Sequence, residues 1–597
     1  MTYAGAAEPM VGRRDLISVL LPCSERAYAL RSRAIPSVLA QTHRNWELIV
    51  VSEGKDNTPM REAVASFNDS RIRFEEVARA DYSGQNPRAR HGFGARALNS
   101  AQELARGDVL CLLDEETEFL PDHLFQSLQA LEANSADLVY GLVTERDLNT
   151  GQQTEHYVAW SGSLDDSAIH PSTVCYSAKW QTVAFPVDGD EPVHQAKWAT
   201  MLEGGAKFVS LAAPQIVSFG DETTGRIRVS MPSLPSTERL YEIVDTVAAS
   251  RQLSNYGPLN AKLEETLAEY LGAQHVVMAA SGDTALGMAM LLAADQRGDR
   301  DEVVLPSYTF PSTANAVLRA GLTPVFCDVE PDTLCASAST MAPLVNERTL
   351  AIFPVHAHGI PCEMDSLEAL ANDSGALLIS DAAAAMGAQV GTRRVGTFGD
   401  MEVFSLSSTK VLTSAEGGFL SLHDDRTAAR LREIARYGLD GNFVCVGLGV
   451  NGRLPELSAG IALAGMDQLE GWLAARRQAA TRYEETLDQL QHLRIVAHRV
   501  ENRVGSAKDV ALVVDSSELR DQLAERLARY RIETRPYFRP LHLMAPFKHL
   551  VRSKLEVTDQ LADKMLCLPI TNEIPTATVD YICGALTHEL DDLVSRS

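Results

Sequence analysis

At about 150 residues per domain, a chain of 597 residues exceeds what one hydrophobic core serves, so at least two separately folded bodies are expected. With 45% apolar and 22% charged residues the composition is that of a folded globular protein, which excludes a fibrous repeat or a long disordered tail. A formal charge of −25 disfavours nonspecific contact with nucleic acid or anionic lipid, and the nine cysteines, with no C-x-x-C pair, argue against a disulfide framework or zinc ribbon and for a reducing cytoplasm.

No apolar run reaches the ~18 residues needed to span a bilayer. Arg13-Arg14 ahead of Leu16–Leu21 imitates a short export signal, but Pro22 and Ser24-Glu25-Arg26 cut that run at strand length, so it reads as a first buried strand. Strands are expected at Ile17–Leu21, Leu48–Val51, Val109–Leu113 and Leu138–Val143, separated by helix-like segments. This alternation predicts an α/β unit with a mostly parallel sheet over residues 1–220. Residues 221–237 lose periodicity and gather turn formers, as a linker would.

A second α/β alternation follows, with strands at Val276–Ala279, Val303–Leu305, Pro324–Cys327, Leu350–Pro354 and Ala376–Ile379. Leu457–Arg482 reads as one long helix, and after it the pattern shortens. A large domain over 238–480 and a small α/β domain over 481–597 account for this.

Within the second body, Phe404-Ser-Leu-Ser-Ser-Thr-Lys410 precedes Glu416-Gly-Gly418, which places a lysine just after a strand and before a glycine turn. Pyridoxal phosphate chemistry needs such a lysine on a rigid element, together with a carboxylate against the pyridine nitrogen. Asp381, ending an apolar strand, is placed for the second role. With Ser281-Gly-Asp-Thr284, Ser307-Tyr-Thr-Phe310, Asn255-Tyr-Gly-Pro258, Asp381-Ala-Ala-Ala-Ala-Met-Gly387 and Arg436-Tyr-Gly438 in order, residues 228–593 resemble the DegT/StrS family of sugar aminotransferases, a fold-type I pyridoxal phosphate group.

The resemblance implies that Lys410 forms the Schiff base with pyridoxal 5'-phosphate, Asp381 partners the pyridine nitrogen and Phe310 stacks on the ring. Ser281, Gly282, Asp283, Thr284 and Ser405 would surround the cofactor phosphate at a helix N-terminus. Asn451 would reach the phosphate of a neighbouring subunit, implying a homodimer. Two departures stand out: Asp283 replaces a threonine beside the phosphate, and Ala384 replaces a glutamine that touches the ring oxygen. Retention of the lysine favours transamination over the dehydratase activity of relatives that carry histidine there. Gly447-Leu-Gly449-Val-Asn-Gly452 also fits a dinucleotide fingerprint, but without a βαβ unit around it that pattern carries little.

In the first body, Ser18-Val-Leu-Leu-Pro22, Trp46-Glu-Leu-Ile-Val-Val51-Ser-Glu53-Gly54 and Arg106-Gly-Asp108 through Asp114-Glu-Glu116 occur in fixed order. Carboxylates clustered at a strand end suit Mg²⁺ or Mn²⁺, which take oxygen ligands. The set is similar to the family 2 glycosyltransferases of the nucleotide-diphospho-sugar (GT-A) fold. That resemblance places Pro22, Glu53 and Asn99 at the nucleotide sugar and Asp114 and Glu116 at the metal. It assigns the catalytic base to Asp190, Glu191 or His194, according to register.

The expectation is a two-enzyme fusion making or attaching an amino sugar or aminocyclitol, for an antibiotic or a surface glycan. Glutamate or glutamine would donate the amine, a keto sugar or keto cyclitol would receive it, and a nucleotide sugar would feed an inverting transfer. Competing readings keep the first body as a noncatalytic carbohydrate-binding module, or treat the second as a regulatory scaffold with a decayed site.

Overall fold

The computed structural model describes residues 15–23, 26–53, 57–78, 95–115, 117–148, 150–151, 153–156, 171–185, 193–218, 226–296, 298–551, 553–561 and 563–596. The chain divides into two compact units, residues 1–226 and 227–597.

The first unit is built on a nine-stranded sheet. Its strands are β1 (Ile17–Cys23), β2 (Trp46–Ser52), β3 (Ile72–Glu76), β4 (Val109–Leu112), β5 (Thr117–Phe119), β6 (Leu138–Arg146), β7 (Gln153–His156), β8 (Cys175–Ser177) and β9 (Phe208–Ser218). The order is β3-β2-β1-β4-β8-β6-β9-β5, with β7 on β6. β1 to β4 run parallel, and so do β6 and β9, whereas β5, β7 and β8 oppose their neighbours, so the sheet is mostly parallel as the alternation predicts, with antiparallel strands in its second half. All seven residues of β2 are buried, as expected of a parallel strand covered on both faces.

Cys111 on β4 and Cys175 on β8 face one another in register and form a disulfide. Spacing gave no sign of it, because pairing two strands 64 residues apart, not a short motif, brings the sulfurs together. His123 packs beside them, its Nδ1–H donating to Gln215 Oε1 at 3.0 Å.

In the second unit, seven strands lie in the order β10-β16-β15-β14-β13-β11-β12. They are β10 (His275–Ala279), β11 (Glu302–Pro306), β12 (Thr323–Cys327), β13 (Thr349–Ile352), β14 (Leu377–Asp381), β15 (Met401–Ser405) and β16 (Gly418–Leu422). Only β16 opposes its neighbours. Helices α1 (Gly282–Asp295) and α2 (Pro311–Arg319) cover one face, with Met288, Ala289, Val317, Val303 and Leu420 in one shared core. A smaller antiparallel sheet of β17 (Leu493–Ile495), β18 (Val510–Val514) and β19 (Met565–Leu568) follows.

The single helix expected over 457–482 is two, Glu456–Met466 and Leu469–Leu487. The break lets Trp472 fold over Gly465, where an added Cβ would lie 3.4 Å from the indole. Of the stretch read as a linker, residues 221–225 lie outside the described residues. From Ile227 the backbone is built into the second unit. Ile227 N–H donates to Arg531 O at 2.9 Å, Glu533 N–H to Ile227 O at 2.9 Å and Ile570 N–H to Val229 O at 3.1 Å. Ile227 and Val229 are buried. Among the described residues no helix is long and apolar enough to cross a membrane.

Candidate active site

The carboxyl ends of the central strands of the second unit open into a cavity of about 350 Å³. Parallel strands flanked by helix N-termini make this edge the natural place for a ligand. β14 delivers Asp381 and β15 delivers Ser405, and the turn after β15 carries Lys410, fixed by its own N–H to Ser407 O at 3.0 Å. Ser281, Gly282, Asp283, Phe310, Asp381, Ser405 and Lys410, all singled out from sequence, line this one cavity.

The start of α1 is shaped by close packing. The Ser281 hydroxyl caps the helix by accepting from Thr284 N–H at 3.0 Å, and it also meets the Thr284 hydroxyl at 2.9 Å. A Cβ on Gly282 would lie 2.7 Å from Ser405 Cβ, and one on Gly418 would lie 2.6 Å from Gly282 N, so glycine is required where the helix start meets β15 and β16. Asp283, an acid at an anion-shaped helix start, is held by the Arg319 guanidinium at 2.8 and 2.9 Å.

Asp381 is buried and accepts from Thr313 Oγ1 at 2.8 Å and from Ala383 N–H at 3.1 Å. Burial raises its carboxyl above the usual range, against those bonds and the charge of Lys410. For Lys410, burial and then the neighbouring Lys508 bring the amine down to about 8. His356, behind Asp381, accepts from Cys362 N–H at Nδ1 (3.0 Å), which leaves Nε2–H for Glu402 at 3.4 Å.

Thr284 and Asn451 are not on the cavity wall. Asn451 bridges Arg436 through its backbone, and its Oδ1 accepts from Arg453 Nε at 3.0 Å. The Gly447–Gly452 run lies in a loop outside any βαβ unit. Lys508, Asp509, Glu416, Tyr537 and Phe538 also line the cavity and were not singled out from sequence. A Lys-Asp pair ahead of an apolar strand has the pattern of a solvated strand entry, and nothing local marks it otherwise.

In the first unit, Glu53 follows β2 and its N–H donates to Cys23 O at 3.0 Å, which puts it beside the end of β1 and Pro22. It is buried, and among the described residues neither carboxylate oxygen has a hydrogen-bond partner. Asp114 is exposed just past β4, its N–H on Ser172 Oγ at 3.0 Å. The Asn99 amide donates to Phe185 O at 2.8 Å and accepts from Phe185 N–H at 2.7 Å, clamping the chain just before residue 186. Glu116, Asp190 and Glu191 lie outside the described residues, as does the side chain of His194.

Residues 236–587 match the DegT/DnrJ/EryC1/StrS aminotransferase family, and residues 18–185 match glycosyl transferase family 2. The chain is similar to a GDP-perosamine synthase of Caulobacter vibrioides, 34% identical over 374 residues that are 61% of this chain and 98% of that protein. It also resembles a dTDP-4-amino-4,6-dideoxy-D-glucose transaminase of Escherichia coli, 29% identical over 58% of this chain and 94% of that protein. Among solved structures, the aminotransferase TlmJ from Streptoalloteichus hindustanus superposes with a TM-score of 0.58 at 30% identity, covering 62% of this chain and all of TlmJ.

Proposed function

The chain belongs to the DegT/DnrJ/EryC1/StrS aminotransferase family and carries a glycosyl transferase family 2 domain, and from that premise we propose that its second unit aminates a keto sugar or keto cyclitol using pyridoxal 5'-phosphate. Lys410 and Asp381 opening into one cavity with the start of α1 is the observation that carries this reading. The residues fit the cofactor. Ser281 takes the Thr284 N–H and so leaves the first N–H groups of α1 for a phosphate, while Gly282 and Gly418 keep clear the close approach that side chains would block.

When bound, pyridoxal phosphate supplies the reactive aldehyde and the electron sink. The chain's own part is to hold and move protons. An amine brought down to about 8 is more often neutral near pH 7 than a surface lysine, which suits Lys410 to attack a carbonyl and to carry a proton afterwards. Asp381, fixed by Thr313 and Ala383, would keep a proton on the ring nitrogen, and Phe310, 60% exposed, would cover one ring face.

The donor would be glutamate or glutamine. The acceptor would be a keto sugar carried on a nucleotide, the class suggested by the GDP and dTDP sugars for which its relatives are named, or a keto cyclitol. A homodimer is supported by the apolar loop ahead of Asn451, where Phe443 is 85% and Leu448 71% exposed. In the first unit, Asp114 at the end of β4 would hold Mg²⁺ or Mn²⁺ on a nucleotide sugar, with Glu53 and Pro22 at the base.

Purified protein mixed with pyridoxal phosphate should develop an absorption band near the edge of the visible, and borohydride should fix the cofactor onto Lys410 in a peptide map. A protein that stays colourless would overturn the aminotransferase reading. For the first unit, Mn²⁺-dependent nucleotide-sugar turnover that Asp114→Ala abolishes is expected. No turnover on any donor would leave a binding module.

A further inference from the structure

This inference rests on reading the cavity as a pyridoxal phosphate site, and it concerns the charged pair at its small-sheet wall. Lys508 and Asp509 immediately precede β18 and both line the cavity. Lys508 is 5% exposed, and its Nζ donates to Asp509 Oδ1 at 2.8 Å. Asp509 Oδ2 meets His358 Nδ1 at 3.3 Å, and His358 Nε2 meets the Tyr308 hydroxyl at 3.0 Å. That hydroxyl donates to Tyr537 O at 2.7 Å and accepts from Phe538 N–H at 3.2 Å. Burial opposes a charge on Asp509, and Lys508 with His358 overcome it, holding the carboxyl far below its usual range. An ion pair this deep is costly to desolvate, so its bracing inside a ligand cavity points to a role there.

Pyridoxal phosphate presents three polar points to a protein: a phosphate, a ring nitrogen, and a ring oxygen adjacent to the carbon that a lysine attacks. The start of α1 suits the first and Asp381 the second. Two and three residues past Asp381, the wall is formed by Ala383 and Ala384, whose methyl side chains offer the oxygen nothing. Lys508 adjoins that wall. A Cβ on Gly359 would lie 2.7 Å from Ala384 O and 3.2 Å from Lys508 Cβ, and Ser506 Oγ ties the same Ala384 carbonyl at 2.7 Å. Lys508 also acts on Lys410 electrostatically, second only to burial.

We propose that Lys508 is a positioning residue for the cofactor ring, supplying from the small sheet the cation that faces the ring oxygen, with Asp509 holding it in place. The other charged and titratable groups around the two lysines are Asp381 on β14, Glu416 ahead of β16, Asp283 on α1, His356 and His358 after β13, and Tyr537. Arg476 on the helix Leu469–Leu487 caps the Lys508 carbonyl at 2.6 Å. All of these stay unchanged in the test.

A cation at the ring oxygen opposes protonation of the adjoining lysine–cofactor linkage. Removing the pair together, as Lys508→Met with Asp509→Asn, avoids stranding a buried charge. In the absence of substrate, the pH midpoint of the long-wavelength band in this double variant should rise by about one unit, and retention of pyridoxal phosphate should weaken. Lys508→Arg should titrate close to the unaltered protein, and Asp509→Asn alone, which frees the cation, should shift the midpoint down. A double variant that forms the band and titrates at the unaltered pH overturns the proposal, as does a Lys508→Arg variant that behaves like the double. An unaltered protein with no band fails the aminotransferase reading itself, which is a separate outcome. If the double variant does not fold by circular dichroism, the Arg and Asn variants decide: unchanged midpoints in both overturn the proposal.

Discussion

Asp283 and Arg319 are joined at two points, Oδ2 to Nη1 at 2.8 Å and Oδ1 to Nη2 at 2.9 Å, linking the first turn of α1 to the end of α2. The acid stands at the proposed phosphate site, and on that reading the guanidinium offsets its charge. Both side chains are about half exposed, so the pair is worth little by itself. Arg319→Gln should therefore weaken pyridoxal phosphate affinity only about two- to fivefold, measured by absorbance titration. Adding Asp283→Asn should bring the affinity back. A loss that persists in the double variant would show that Arg319 acts in some other way.

Thr313 holds the carboxylate on which the proposed ring contact depends. Its hydroxyl is buried and 2.8 Å from Asp381 Oδ2, and a hydrogen bond to a charged group contributes roughly 1.5–3 kcal/mol. Thr313→Val should lower cofactor affinity by at least about tenfold, whereas Thr313→Ser, which keeps the donor, should stay within about twofold. Equal behaviour of the two variants would refute this.

Gly282→Ala sets helix propensity against packing. Alanine is favoured over glycine inside a helix by up to about 1 kcal/mol, yet the new methyl would lie 2.7 Å from Ser405 Cβ, an atom that cannot swing aside. Overpacking of this kind costs about 1–3 kcal/mol, so packing should win. The variant should unfold at lower temperature and lose more than tenfold in cofactor affinity, because the shift falls on the phosphate cradle. Normal binding in a destabilised protein would separate the cradle from the packing contact.

His123 makes the first unit sensitive to acid. Burial brings its imidazole down to about 4 from 6.5, against the hydrogen bond it donates to Gln215. Its folded value lies below its unfolded one, so the associated stability is complete above pH 6.5 and is lost as pH falls toward 4. A shift of this size corresponds to about 3 kcal/mol. Chemical denaturation of the first unit should weaken steadily across that window, and His123→Gln should flatten the slope. An unaltered slope in the variant would point to other groups.

Lys410 and Asp381 were legible because each has a local signature: a lysine between a strand and a glycine turn, and an acid ending an apolar strand. Strands in the second unit were legible to within about two residues because buried parallel strands are continuous apolar runs. Lys508 left no such trace. Its burial comes from β18 folding back onto the cavity 98 positions after Lys410, which periodicity does not encode. The same holds for Arg319, 36 positions from the acid it neutralises, and for the Cys111–Cys175 link, which exists through strand register alone. The break at Asp467-Gln468 escaped notice because both halves of that segment are rich in good helix formers.

The seam that Ile227 and Val229 form with Arg531, Glu533 and Ile570 decides where the protein can be cut in two. A scissor placed at residue 237, the apparent end of the connecting stretch, would strip away a backbone strip that runs only a few positions from Tyr537 on the cavity wall. The severed half would then expose main-chain groups that are now satisfied, and its failure would be mistaken for dependence on the missing N-terminal unit. Separating the two units means starting the C-terminal piece no later than residue 226.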